Sequence, residues 1–100
     1  MEIEKINDGH IRKMVITGLI KTVEDSTVFK DTLYSLLDSP VKSVSIHIKD
    51  SFIITSSIIG TMLKAVNIDK AQISLYVYQE DLYSLLSQLN LLDALSVKKG

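Results

Sequence analysis

"VSIHIKDSFIITSSIIGTMLKAV", residues 44–66, changes its period half-way along. Val44, Ile46 and Ile48 alternate with Ser45, His47 and Lys49, the pattern of a strand that buries one face. Further on, Ile59, Met62, Leu63 and Val66 recur at i, i+3, i+4 and i+7, which predicts an amphipathic helix from about Ser56 to Val66. Three hydroxyl residues, Thr55, Ser56 and Ser57, stand at the junction. A strand that feeds a helix in this way is the first half of a strand-helix-strand unit.

Working outward, the same alternation of periods recurs on both sides. "QISLYVY" (72–78) sets Ile73, Leu75 and Val77 against Ser74, Tyr76 and Tyr78, and reads as the next strand. "EDLYSLLSQLN" (80–90) places Leu82, Leu85, Leu86 and Leu89 in one helical stripe. Asn90 stands where a left-handed helix cap is wanted, ahead of apolar Leu91, and "ALSV" (94–97) reads as a short closing strand. Upstream, "VEDSTVFKDTLYSLLDSP" (23–40) reads as a helix with Phe29, Leu33, Leu36 and Leu37 on its inner side. Glu24 and Asp25 suit the positive end of its dipole, and Pro40 marks its exit. "HIRKMVITG" (10–18) reads as a strand ending at Gly18. "MEIEKI" (1–6) reads as an edge strand whose alternation breaks at Lys5-Ile6, with Asp8-Gly9 as the tight turn between the two.

The predicted order is β-β-α-β-α-β-α with a possible last strand. It describes an α/β fold: a single domain over residues 1–100 with a mixed sheet of four to five strands and helices mainly on one face. The clean alternation is what places the helices. A sheet wound on both sides would show continuous apolar runs instead.

Composition narrows the function classes. In 100 residues, 46% are hydrophobic and 23% charged, which favours a folded domain over a disordered segment. The formal net charge of −1 comes without a basic cluster beyond Arg12-Lys13 and Lys98-Lys99, which argues against nucleic acid as a partner. No cysteine is present, so disulfides, thiolate metal sites and cysteine nucleophiles are excluded. The N-terminal segment has no apolar core of signal-peptide length, and no run approaches the ~18 apolar residues of a membrane span. These features lead to the expectation of a cytoplasmic protein without direct membrane insertion. His10 and His47 fall in different elements, each with one acid nearby, Asp8 and Asp50 respectively. That is too little for a metal or catalytic centre. The glycines at 9, 18, 60 and 100 are too scattered for a phosphate loop. The expectation is a non-enzyme without cofactor, monomeric or weakly dimeric.

Three segments resemble the STAS family, whose bacterial members include the anti-sigma-factor antagonists. "FIITSSIIG" (52–60) is similar to that family's apolar pair followed by Asp-Ser-Ser-Gly, an apolar residue and Gly. "LLSQLNLLDAL" (85–95) is similar to its leucine-rich final helix, and "VITGLI" (15–20) to the strand and glycine before its first helix. Ser56, Ser57 and Gly60 match the pattern; Thr55 stands where the family has Asp, and Ile58 where it has the first Gly. The resemblance implies a regulatory protein that binds a serine-kinase anti-sigma factor, with Ser56 as the phosphoacceptor and Ser57 as second choice. Thr55, Ser57, Ile58, Gly60, Thr61 and Lys64 would then contact the partner. The alternative within the same family is a docking module of a transporter ATPase or sensory complex that is never phosphorylated.

The residues themselves leave two readings open. Thr55 as N-cap, with the serines completing the turn, needs no further role, since a cap contributes ~0.5–2 kcal/mol. A phosphate on Ser56 would add roughly −1.5 to −2 charges at the positive end of a helix, which leaves the fold intact but opposes a partner docked there. The two are compatible, with Thr55 as cap and Ser56 as acceptor. Ile58 could dock on a partner or fill the core, and packing is the preferred reading. The leucine stripe of the last helix reads as core.

Overall fold

A computed structural model describes residues 1–8, 11–38 and 42–100. It contains β1 (Glu2–Asp8), β2 (Ile11–Thr17), α1 (Val23–Leu37), β3 (Ser43–Ile48), α2 (Ser56–Asn67), β4 (Gln72–Val77), α3 (Glu80–Gln88) and β5 (Val97–Lys99). The strands form one five-stranded sheet in the order β1-β2-β3-β4-β5. The first pair is antiparallel and the rest are parallel. This is the α/β fold with a mixed sheet that the alternating periods predict. The expected turn glycine Gly9, with His10 and Pro40, lies outside the described residues.

Sequential parallel strands joined by right-handed crossovers place all connecting helices on the same side. Along that side Met14, Ile16, Val44, Ile46, Ile48, Ile73, Leu75 and Val77 are buried. Phe29, Leu33, Leu36 and Leu37 of α1, Ile58, Met62 and Ala65 of α2, and Leu82 and Leu86 of α3 close over them. Each fully buried large side chain is worth about 1.5–3 kcal/mol of transfer free energy. The opposite faces of β2, β3 and β4 are only half-buried, as the alternation requires.

Four local readings are corrected. The strand at the N-terminus does not stop at Ile6, because Lys5 reaches from the helix side to the Ser35 hydroxyl of α1 at 3.3 Å. Its long stem lets a cation occupy an inward position while the ammonium stays exposed. In α2 the innermost residues are Ile58, Met62 and Ala65, while Ile59, Leu63 and Val66 are half-buried. The buried arc therefore centres one position earlier than the predicted stripe. Leu89 is 48% exposed, because it lies past the last turn of α3, where Asn90 turns the chain at φ 58°. The left-handed cap at Asn90 is as expected: the Leu91 N–H donates to the Leu86 carbonyl at 2.9 Å. Lastly, the closing strand begins at Val97 rather than Ala94; Leu95 is a buried plug, and Ser96, at φ 48°, turns the chain into the strand.

Candidate functional site

Two strand-to-helix loops meet at the C-terminal end of the parallel strands, the edge where α/β sheets commonly present functional loops. The loop after β2 turns at Gly18, whose φ of 79° favours a residue without a Cβ. Its N–H donates to Asp50 Oδ2 at 2.8 Å, across to the loop after β3. Two residues later, the Ile20 N–H donates to the hydroxyl of Ser51 at 3.2 Å. Ser51 is fully buried, and its hydroxyl donates onward to the Ile53 carbonyl at 2.7 Å. Asp50 and Ser51 thus bolt the two loops together, which holds the starts of α1 and α2 side by side.

Each helix start is capped. Thr22 caps α1 by accepting from the Asp25 N–H at 3.0 Å, and the Asp25 carboxylate accepts from the N–H groups of Lys21 and Thr22 at 2.9 and 3.1 Å. Those two backbone donors hold the Asp25 pKa below its ordinary value. Thr55 caps α2: its Oγ1 accepts from the Ile58 N–H at 3.2 Å and lies 2.8 Å from Ser26 Oγ of α1. Thr55 is therefore both the cap and a clasp between the helices. Ser56 is the first residue of α2 and is exposed, so the capping duty falls on its neighbour.

Between α1 and α2 runs an open groove of about 410 Å³. Val23, Ser26, Thr27, Lys30 and Tyr34 line it from α1, and Ser57, Gly60, Thr61 and Lys64 from α2. Four of the residues expected to contact a partner, Ser57, Gly60, Thr61 and Lys64, are thus gathered on one wall. Thr55 and Ser56 stand at the end of the same helix. Ile58 is not available: it is 0% exposed within the core, where the third position of a capped helix turns inward. Its side chain packs, and a partner would not reach it.

Tyr34 bridges the far end of the groove by donating to Asp69 Oδ2 at 2.8 Å; burial, first, and then this carboxylate push its pKa up. Gly60 has no internal steric reason to be glycine, since a Cβ there would meet no atom within 4 Å.

Sequence reasoning did not single out the apolar surface beside this site. Val23 is 84% exposed, Phe52 46% and Ile53 39%. Val23 opens α1, while Phe52 and Ile53 lie in the loop that ends at Thr55. The signal was present in "FIIT", three large apolar residues next to a cap, but it reads equally as strand. Only the register of β3, which ends at Ile48, puts Phe52 and Ile53 in the loop.

Among the described residues no group of three or more His, Cys, Asp or Glu side chains is placed to hold a metal ion. No helix of the described residues is long and apolar enough to cross a membrane. No family model matches the chain, and no curated protein matches it in sequence.

Proposed function

We propose that the chain is a regulatory protein-docking domain of STAS type, switched by phosphorylation at Ser56. The observation that carries this reading is the division of labour at the start of α2. Thr55 does the capping, which leaves an exposed serine one residue on, next to exposed Phe52 and Ile53. A partner docked over Phe52, Ile53 and the α2 surface buries apolar area without needing any catalytic group. A phosphate on Ser56 would sit beside backbone N–H groups that the first turn of a helix leaves unpaired. It would stabilise the modified helix by about 0.3–1 kcal/mol while placing an unpaired charge in the docking surface, where burial is costly. The chain's fold would survive and its affinity would fall. Gly60 fits the same picture, because a bare backbone facing the groove permits close approach from outside.

The partner implied by the resemblance is a serine-kinase anti-sigma factor, which would supply ATP and the phosphotransfer chemistry. The chain itself would contribute only the hydroxyl. The constitutive docking module remains the second reading, favoured by Thr55 and Ile58 at positions where the STAS pattern has Asp and Gly. Affinity capture from native lysate with Ser56→Ala and Ser56→Glu baits separates the two. Recovery of an ATP-binding serine kinase on the first bait and its loss on the second supports the switch. Equal recovery on both supports the constitutive module.

A further inference from the structure

Helices α1 and α2 run in the same direction, since each returns from the end of one parallel strand to the start of the next. The 2.8 Å contact between Ser26 Oγ and Thr55 Oγ1 fixes which residues stand level across the groove. One turn further along both helices, Lys30 of α1 comes level with Ile59 and Gly60 of α2. A turn beyond that, Tyr34 comes level with Lys64, whose Nζ lies 6.0 Å from the centre of the Tyr34 ring. Lys30 thus faces a residue without a side chain, and its ammonium is open to a segment lying in the groove.

The charged side chains that line the groove are all basic. Lys30 and Lys64 are exposed on opposite walls, and neither has a carboxylate within 4 Å among the described residues. The nearby acids are placed elsewhere. Asp25 accepts the N–H groups of Lys21 and Thr22 at the start of α1. Glu24 and Asp31 each follow a lining residue by one position, about 100° round the helix and outside the lining. Helix α2 carries no acid, and Asp69 closes the far end, where it accepts from the Tyr34 hydroxyl. At the near end Val23 is 84% exposed.

We infer that the groove receives an acidic segment of the docking partner, with an apolar residue against Val23 and carboxylates between Lys30 and Lys64. This rests on the chain being a docking domain, and it names the chemistry of what docks. Val23 and Lys30 are seven positions apart, about 10 Å of helix, which an extended segment covers in about three residues. The occupant is therefore a short stretch with Asp or Glu about three positions from an apolar side chain. A nucleic-acid strand would meet only two cations here and leave Val23 uncovered, so the protein segment is the better fit. The same chemistry says how the switch acts. Ser56 stands one residue past the Thr55 clasp and one turn before Gly60, so a phosphate there lies beside the segment and repels its carboxylates.

Peptides selected from a random display library on the folded full chain, then synthesised and titrated, test the inference. The enriched sequences should carry an excess of Asp and Glu beside an apolar residue, and amide shifts on binding should concentrate at Lys30, Gly60, Thr61 and Lys64. Lys30→Glu and Lys64→Glu should each weaken binding about five- to tenfold. Asp31→Lys, an opposite change of the same size outside the groove, should alter it by less than about twofold. Circular dichroism checks that each variant keeps its fold. No enriched peptide, a neutral or basic consensus, shifts away from the groove, or indifference to both reversals would overturn the inference. Ser56→Glu separates it from the switch: an acidic peptide held in the groove equally well by that variant supports the occupant and refutes the switch.

Discussion

Replacing Thr55 by alanine separates the duty of starting a helix from that of carrying a signal. Thr55 Oγ1 accepts the Ile58 N–H and touches Ser26 Oγ, so truncation removes a cap and a clasp between α1 and α2. The cap is worth ~0.5–2 kcal/mol. Ser26 recovers little, because its remaining acceptor, the Thr22 carbonyl, is 3.5 Å away. The expected loss is about 1–2 kcal/mol, a fall in melting temperature of about 4–16 °C for a chain of this size. Thr55→Ser keeps the oxygen and should recover most of it. Ser56→Ala, at the next position, removes no cap and should stay within about 0.5 kcal/mol of the parent. Thermal and urea denaturation of the three variants gives the comparison. If Ser56→Ala costs as much as Thr55→Ala, or if Thr55→Ser is no better than Thr55→Ala, the assignment of capping to Thr55 is wrong. Ser56 would then lose the freedom that the switch requires.

Two further outcomes follow from particular residues. Gly60→Ala should raise stability by about 0.5–1 kcal/mol, since glycine is unfavourable inside a helix and the added methyl meets nothing. The same variant should weaken partner capture; a gain in stability with undiminished capture would remove Gly60 from the docking surface. The pKa of His47 is depressed below its ordinary 6.5, first by burial and then by Lys13 and Lys49. Its neutral form is favoured in the folded state, so its contribution is intact above pH 6.5 and lost as the pH falls from there through the folded pKa. Denaturation midpoints should drop over that window, the drop should shrink in His47→Gln, and an imidazole titration by NMR at or above 6.5 would contradict it.

The strands and their pairing were legible because a sheet covered on one side imposes a strict two-residue period. Val44, Ile46 and Ile48 announce their face without help from the rest of the chain. Helix α1 was equally plain, since Phe29, Leu33, Leu36 and Leu37 are spaced for one side. Helix α2 was less so: its apolar arc holds Ile58 as well as Ile59, and the stripe Ile59-Met62-Leu63-Val66 and the row Ile58-Met62-Ala65 both fit helical spacing, of which the fold buries the second. At the candidate site, Ser57, Thr61 and Lys64 share one helix face by spacing alone, while Gly60 enters through the resemblance and the groove places it with them. The bolts formed by Asp50 and Ser51 could not be read from spacing, because they join residues about thirty positions apart through hydrogen bonds to backbone. The row that joins Glu4 of β1 to Lys98 of β5 across the open face was hidden for a related reason: its ends are linked only when four registers are known.

The proposed switch requires that Ser56 be modified and that its modification be regulated. Site-mapped mass spectrometry of the protein isolated from its native cells under several growth conditions tests it most directly. Phosphate on Ser56 with an occupancy that changes between conditions is the expected result. A chain unmodified at Ser56 in every condition would contradict it and leave a constitutive docking domain, whose hydroxyls serve only to begin a helix.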